Sequence, residues 1–269
     1  MTAPTTLTLD LPGGAISYGR VGQGPPLILL HATLSSSRQL RTLASRLAHR
    51  FTVLSVDRRG SGDSADAAPS PVAPIDVAVH VADLTAIAAA ERLGPSLVVG
   101  HSYGGCVALE LAARRPELVN AALAYEPPYG PLAPPAARQR MAEVAQRTLK
   151  AAGGGDLGAA ALEFMAGVAG RAAVESLSPA GRERIGRAGT GAVADATLLG
   201  MDPQGLATIR CPALIATGSA SAPLYADIAD ALVARIPGAT RQRIDGADHM
   251  APIVRPDVIA AGAEAFADR

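Results

Sequence analysis

Ser102 stands between two glycines in Gly100-His101-Ser102-Tyr103-Gly104, with a further glycine at 105. A serine hydroxyl is a weak nucleophile until a nearby base takes its proton and positioned donors hold the charge that forms on the substrate. Gly-x-Ser-x-Gly meets part of that need, because residues without a Cβ let neighbouring backbones close into a sharp, strained strand-to-helix turn. A helix starting there directs free N–H groups and its positive dipole end at the hydroxyl, which favours an alkoxide or a tetrahedral oxyanion. The backbone N–H of Tyr103 is the expected first donor. Histidine, with an ordinary pKa near ~6.5, is the residue type suited to proton abstraction at neutral pH. The chain has five: His31, His49, His80, His101 and His249. His101 adjoins Ser102, so strand alternation should turn its ring away from the nucleophile, to pack or hydrogen-bond below it. His49 and His80 fall in helical stretches and read as surface or core residues.

The elements that must position these groups alternate along the chain. Leu27-Ile28-Leu29-Leu30 and Phe51 to Val56 read as strands, with a helix between them near Ser36 to Ala48. A helix from Asp76 to Arg92 begins at a good capping residue and ends before Gly94-Pro95. Then come a strand at Ser96 to Val99, the serine turn, a helix from Tyr103 to Arg114 and a strand near Asn120 to Tyr125. Strands alternating with helices predict a parallel sheet. A proline cluster at Pro127, Pro128, Pro131, Pro134 and Pro135 then opens an Ala/Gly/Arg-rich helical stretch. The sheet pattern returns at Pro212 to Gly218, a helix at Pro223 to Arg235, a strand at Thr240 to Ile244 and a helix after Pro256. The expectation is one core, residues 1–129 and 206–269, interrupted by a helical cap at 130–205.

Composition narrows the partners. In 269 residues, 24 basic side chains balance 24 acidic ones, so no net field draws the protein toward nucleic acid or an anionic membrane. A small, largely neutral substrate suits that balance; the sequence sets no oligomeric state. Cys106 and Cys211 are too far apart and too few for a framework, and read as buried reduced thiols. No zinc spacing, P-loop or dinucleotide fingerprint is present, so no cofactor and no metal are expected. The start, Met1 to Thr6, lacks a basic and apolar leader, which predicts a cytoplasmic protein.

Four marks together resemble the α/β-hydrolase superfamily, from about Leu7 to the C-terminal helix. They are His31-Ala32-Thr33, the run Asp57-Arg58-Arg59-Gly60-Ser61-Gly62-Asp63-Ser64, the Ser102 turn, and Gly246-Ala247-Asp248-His249. The resemblance implies a mostly parallel eight-stranded sheet with helices on both faces, and His249 as general base. It also implies that the backbone N–H of Thr33 completes the oxyanion hole, although Ala32 stands where the family usually has glycine. The Asp57 to Ser64 run becomes a turn shaping the rim of the cleft. The triad acid departs from the commonest pattern, since Gly218 is followed by Ser219, Ala220 and Ser221. Members whose acid follows the sixth strand point to Glu126 in Tyr125-Glu126-Pro127-Pro128. Asp227, Asp248 and a Ser102–His249 dyad without an acid stay open.

The superfamily includes esterases, lactonases, thioesterases, C–C hydrolases and lyases, so the fold alone does not choose the reaction. Leu132, Met141, Leu149, Leu162, Phe164, Met165, Leu198, Leu199 and Met201 lie in the cap segment. Some of them should line an adaptable apolar pocket. The expected activity is hydrolysis of a small lipophilic ester, lactone or thioester through an acyl-enzyme on Ser102. The alternatives are a lyase or cyclase of secondary metabolism using the same pair, and a non-catalytic ligand receptor.

Overall fold

In the computed structural model, which describes residues 4–68 and 70–268, eight strands form one sheet. Residues 1–3, on which the expectation of no leader partly rests, lie outside the described residues. The strands are β1 (Thr5–Leu11), β2 (Gly14–Val21), β3 (Pro26–Leu30), β4 (Thr52–Val56), β5 (Ser96–His101), β6 (Val119–Tyr125), β7 (Ala213–Gly218) and β8 (Thr240–Ile244). Their spatial order is β1-β2-β4-β3-β5-β6-β7-β8. β2 pairs antiparallel with β1 and β4, and all other neighbours pair parallel.

The central strands are buried on both faces, which is why they read as unbroken apolar runs. Along β3, Ile28 and Leu30 face one core, shared with α2 (Val77–Ala90), α3 (Tyr103–Arg114) and α9 (Pro223–Arg235). Leu27 and Leu29 face the other, shared with α1 (Arg41–Leu47), α10 (Ala251–Val254) and α11 (Pro256–Ala267). The β1–β2 hairpin differs: β1 buries one side only, and Gly13 and Gly14 turn the chain at φ +86° and +124°, which glycine adopts at little cost. The helix expected at Ser36 to Ala48 divides in two. A 3-10 turn at Ser37–Leu40, started by the Gln39 side chain accepting from the Ser36 N–H at 2.9 Å, precedes α1. Cys106 is buried as expected. Cys211 is only half-buried, because it lies on the exposed approach to β7; both are free thiols.

Between β6 and β7 lie α4 (Pro135–Gly153), α5 (Leu157–Ala169), α6 (Arg171–Glu175), α7 (Pro179–Gly186) and α8 (Gly189–Ala194). Short 3-10 turns at Gly130–Leu132 and Gly205–Thr208 bracket them. α8 meets the turn after β4 almost backbone to backbone. A Cβ on Gly191 would lie 3.2 Å from the Gly60 carbonyl oxygen and would require the Ser61 hydroxyl to move, so glycine suits the approach. Beside it, the Ile75 N–H donates to the Ala194 carbonyl at 2.9 Å.

Candidate active site

Ser102 caps α3 with φ 53° and ψ −122°, a conformation that costs a non-glycine residue about 1–3 kcal/mol. The surroundings hold it there. Its N–H donates to the Tyr125 carbonyl at 2.8 Å, and its carbonyl accepts from Gly105 and Cys106 at 2.8 and 3.2 Å. The flanking glycines are sterically required: a Cβ on Gly100 would lie 2.2 Å from the Gly104 carbonyl oxygen, and one on Gly104 2.6 Å from that of Leu30. The Ser102 hydroxyl makes no hydrogen bond among the described residues and opens into a cavity of about 360 Å³ that His249 also lines.

His249 Nδ1 lies 2.7 Å from Glu126 Oε2. Glu126 is fully buried at the end of β6, in a left-handed conformation with φ 48°. Its other oxygen accepts from the Gly218 N–H at 2.7 Å, so both carboxylate oxygens are aimed. A carboxylate on Nδ1 requires the proton there and leaves Nε2 as the basic nitrogen. The other carboxylates considered are elsewhere: Asp227 is exposed on α9, and exposed Asp248 accepts from the Met250 N–H at 2.9 Å.

Three rings hold the His249 loop. Tyr225 stacks on the imidazole at 4.6 Å and 14°, and His101 lies 4.9 Å from it, tilted by 54°. His101 Nε2 also meets the His249 carbonyl at 2.7 Å, and the Tyr125 hydroxyl donates to the Asp248 carbonyl at 2.6 Å. His101 thus packs and hydrogen-bonds as a buried ring, its partner being the backbone of the His249 loop. Residue 101 is the last of β5 and is among those bordering the cavity.

Thr33 lines the same cavity, and neither its N–H nor that of Tyr103 donates to protein among the described residues. The Tyr103 side chain points away, under the Arg58 guanidinium at 4.8 Å, with its hydroxyl 2.9 Å from that of Thr197. Of the cap residues singled out, Met141, Phe164, Met165, Leu198 and Leu199 form cavity wall. Leu132 and Met201 pack into the main core instead, and Leu149 into a small core of the cap. Tyr225 and Asp195, both at the cavity, went unseen in the sequence. Neither has a motif to mark it.

His31 and His80 are buried in the interior. His49 is exposed. Burial first, and Arg58 second, push the His31 pKa down to about 3; its Nε2 accepts from the Arg58 N–H at 3.0 Å. Burial likewise holds His80 and His101 well below the ordinary range. In the unfolded chain all three take up a proton near pH ~6.5. Below that pH the unfolded state binds more protons, so stability falls as pH falls toward the folded values. Each such group contributes a slope of about 1.4 kcal/mol per pH unit. Urea unfolding between pH 7.5 and 5 is expected to show this loss, and His80→Phe to reduce the slope by about one proton. An unchanged slope in that variant rules His80 out as a contributor.

The chain matches the Alpha/beta hydrolase family over residues 27–262. It is a member of that family. An uncharacterized hydrolase, YraK, of Bacillus subtilis is 32% identical over 45% of this chain and 44% of its own length. The chain thus spans less than half the length of the curated relatives it matches. An α/β hydrolase from Sphaerobacter thermophilus superimposes with TM-score 0.73 at 29% identity, covering 97% of this chain and 99% of that one. A bromoperoxidase from Bacillus anthracis gives TM-score 0.77 at 17% identity over 98% and 100%, a likeness of fold alone. Among the described residues no helix is long and apolar enough to cross a membrane, and no three His, Cys, Asp or Glu side chains are grouped to hold a metal ion.

Proposed function

We propose that this α/β hydrolase cleaves a small lipophilic carboxylic ester, lactone or thioester through an acyl-enzyme on Ser102. The observation that carries this reading is the buried Glu126 carboxylate 2.7 Å from Nδ1 of His249, at the cavity into which Ser102 opens. His249 Nε2 takes the Ser102 proton as the hydroxyl attacks the carbonyl carbon, and Glu126 stabilises the imidazolium that forms. The oxyanion is received by the N–H groups of Tyr103 and Thr33, which are free of protein acceptors. His249 then returns the proton to the leaving oxygen or sulfur. Water, activated by the same base, releases the acid and restores the hydroxyl. The Ser102–His249 hydrogen bond forms with substrate in place, as is common when the free enzyme holds these groups loosely.

Substrate class follows from the walls. The cavity is mostly apolar, and a volume of 360 Å³ lies at the small end of ligand sites. Graded p-nitrophenyl esters and acyl thioesters, with fluorophosphonate labelling of Ser102, test the reading directly. Absence of both turnover and labelling would overturn it. Met165→Gln is expected to lower kcat/KM about tenfold on hexanoyl and longer esters, the cost of an apolar contact of roughly 1.4 kcal/mol. Acetate esters should change little. Equal losses on both would mean that Met165 does not meet the acyl chain.

A further inference from the structure

The Arg58–Asp195 pair is the most deeply buried ion pair of the described residues, with both side chains at 1% exposure or less. Arg58 belongs to the turn after β4 and Asp195 follows α8, so the pair ties core to cap. The guanidinium spans the carboxylate, Nη1 to Oδ1 at 2.7 Å and Nη2 to Oδ2 at 2.8 Å. An anchor for the cap requires no more than this. Yet Asp195 Oδ2 accepts one further bond, from the Thr33 hydroxyl at 2.7 Å. Arg58 meanwhile holds the start of the same loop, its Nε donating to the His31 carbonyl at 3.2 Å and its N–H to His31 Nε2 at 3.0 Å.

The loop needs holding. Leu34, one residue beyond Thr33, sits at φ 58°, a conformation unfavourable for a bulky side chain. Fixed at His31 and at the Thr33 side chain, the Thr33 backbone has little freedom to rotate its N–H away from the cavity. A donor gives transition-state stabilisation only if it is already aimed when charge develops.

We propose that Asp195, a residue of the cap, is a positioning residue for the oxyanion hole, acting through the Thr33 hydroxyl on the Thr33 N–H. The cap thereby helps to build the charge-binding part of the site as well as covering it. This inference rests on the ester-hydrolase reading above. It places the effect in the transition state, leaving ground-state binding untouched.

Thr33→Val removes the hydroxyl, keeps the shape and leaves the Arg58–Asp195 pair intact. Loss of a whole oxyanion donor costs about 10²–10³ in kcat; loosening one is expected to cost about 10–100-fold. KM for an activated ester should stay within about twofold, and an alkylboronic acid, which mimics the tetrahedral state, should bind more weakly in step with kcat. Thr33→Ser, which restores the hydroxyl, should recover most of the lost rate. Thermal unfolding establishes that each variant is folded, and Thr33→Ala replaces Thr33→Val if the latter is not. Full kcat in the hydroxyl-less variant, a loss confined to KM, or no rescue by serine would each overturn the proposal. A wild type that neither turns over esters nor reacts with a fluorophosphonate would instead sink the hydrolase reading itself.

Discussion

Ser102→Ala is expected to lower kcat for ester hydrolysis by on the order of 10⁵–10⁶-fold, the loss seen when a triad serine is removed. Folding should survive. The left-handed backbone at Ser102 is imposed by the bond from its N–H to Tyr125 and by the close passage of Gly100 over Gly104. Alanine tolerates that conformation about as well as serine, since the strain comes from the Cβ both share. The variant should therefore unfold within a few degrees of wild type while failing to react with a fluorophosphonate. Near wild-type turnover of the same ester by pure Ser102→Ala protein would refute the nucleophile.

Glu126→Gln should lower kcat by about 10³–10⁴-fold with a much smaller effect on KM, as when a triad carboxylate becomes an amide. The amide fits the buried space, and its oxygen can still accept from the Gly218 N–H. Its NH₂ group must then face His249 Nδ1, which drives the imidazole proton to Nε2 and leaves no base toward Ser102. Asp227→Asn, on the exposed face of α9, serves as the control and should stay within about twofold of wild type, the range of a surface change. Full activity in Glu126→Gln would leave His249 acting without this carboxylate.

Much of the fold was legible because its signals are local. Leu27 to Leu30 and Ser96 to Val99 are apolar without interruption, and strands covered on both faces by helices have no polar side to show. The β1–β2 hairpin was less visible from its residues, because Thr5 to Leu11 buries one side only, and its place in the sheet came from the family resemblance. That Ser102 and His249 would border one cavity was legible in their motifs, and the place of Glu126 beside His249 in the family's alternative acid position after the sixth strand. What stayed hidden depends on pairings distant in sequence. Asp195 lies 137 residues from Arg58, and Tyr225 reaches His249 only once α9 packs beside the last loop. The partner of His101 was hidden in the same way, since the His249 carbonyl that its ring meets lies 148 residues on.

The Arg58–Asp195 bond also bears on how freely the cap could be exchanged between relatives. A transplanted helical segment lacking a carboxylate at this point would strand a guanidinium in the interior, and breaking such a pair on one side costs about 3–5 kcal/mol. That is a large part of the roughly 5–15 kcal/mol by which a domain is stable. Chimeras would therefore have to exchange the Arg58 turn and the Asp195 junction as a unit. Alternatively, both charges could be replaced by packed apolar residues, which buried pairs often tolerate. The transferable module of this enzyme is then a composite of two distant stretches of chain, and its natural cut sites differ from the ends of the inserted helices.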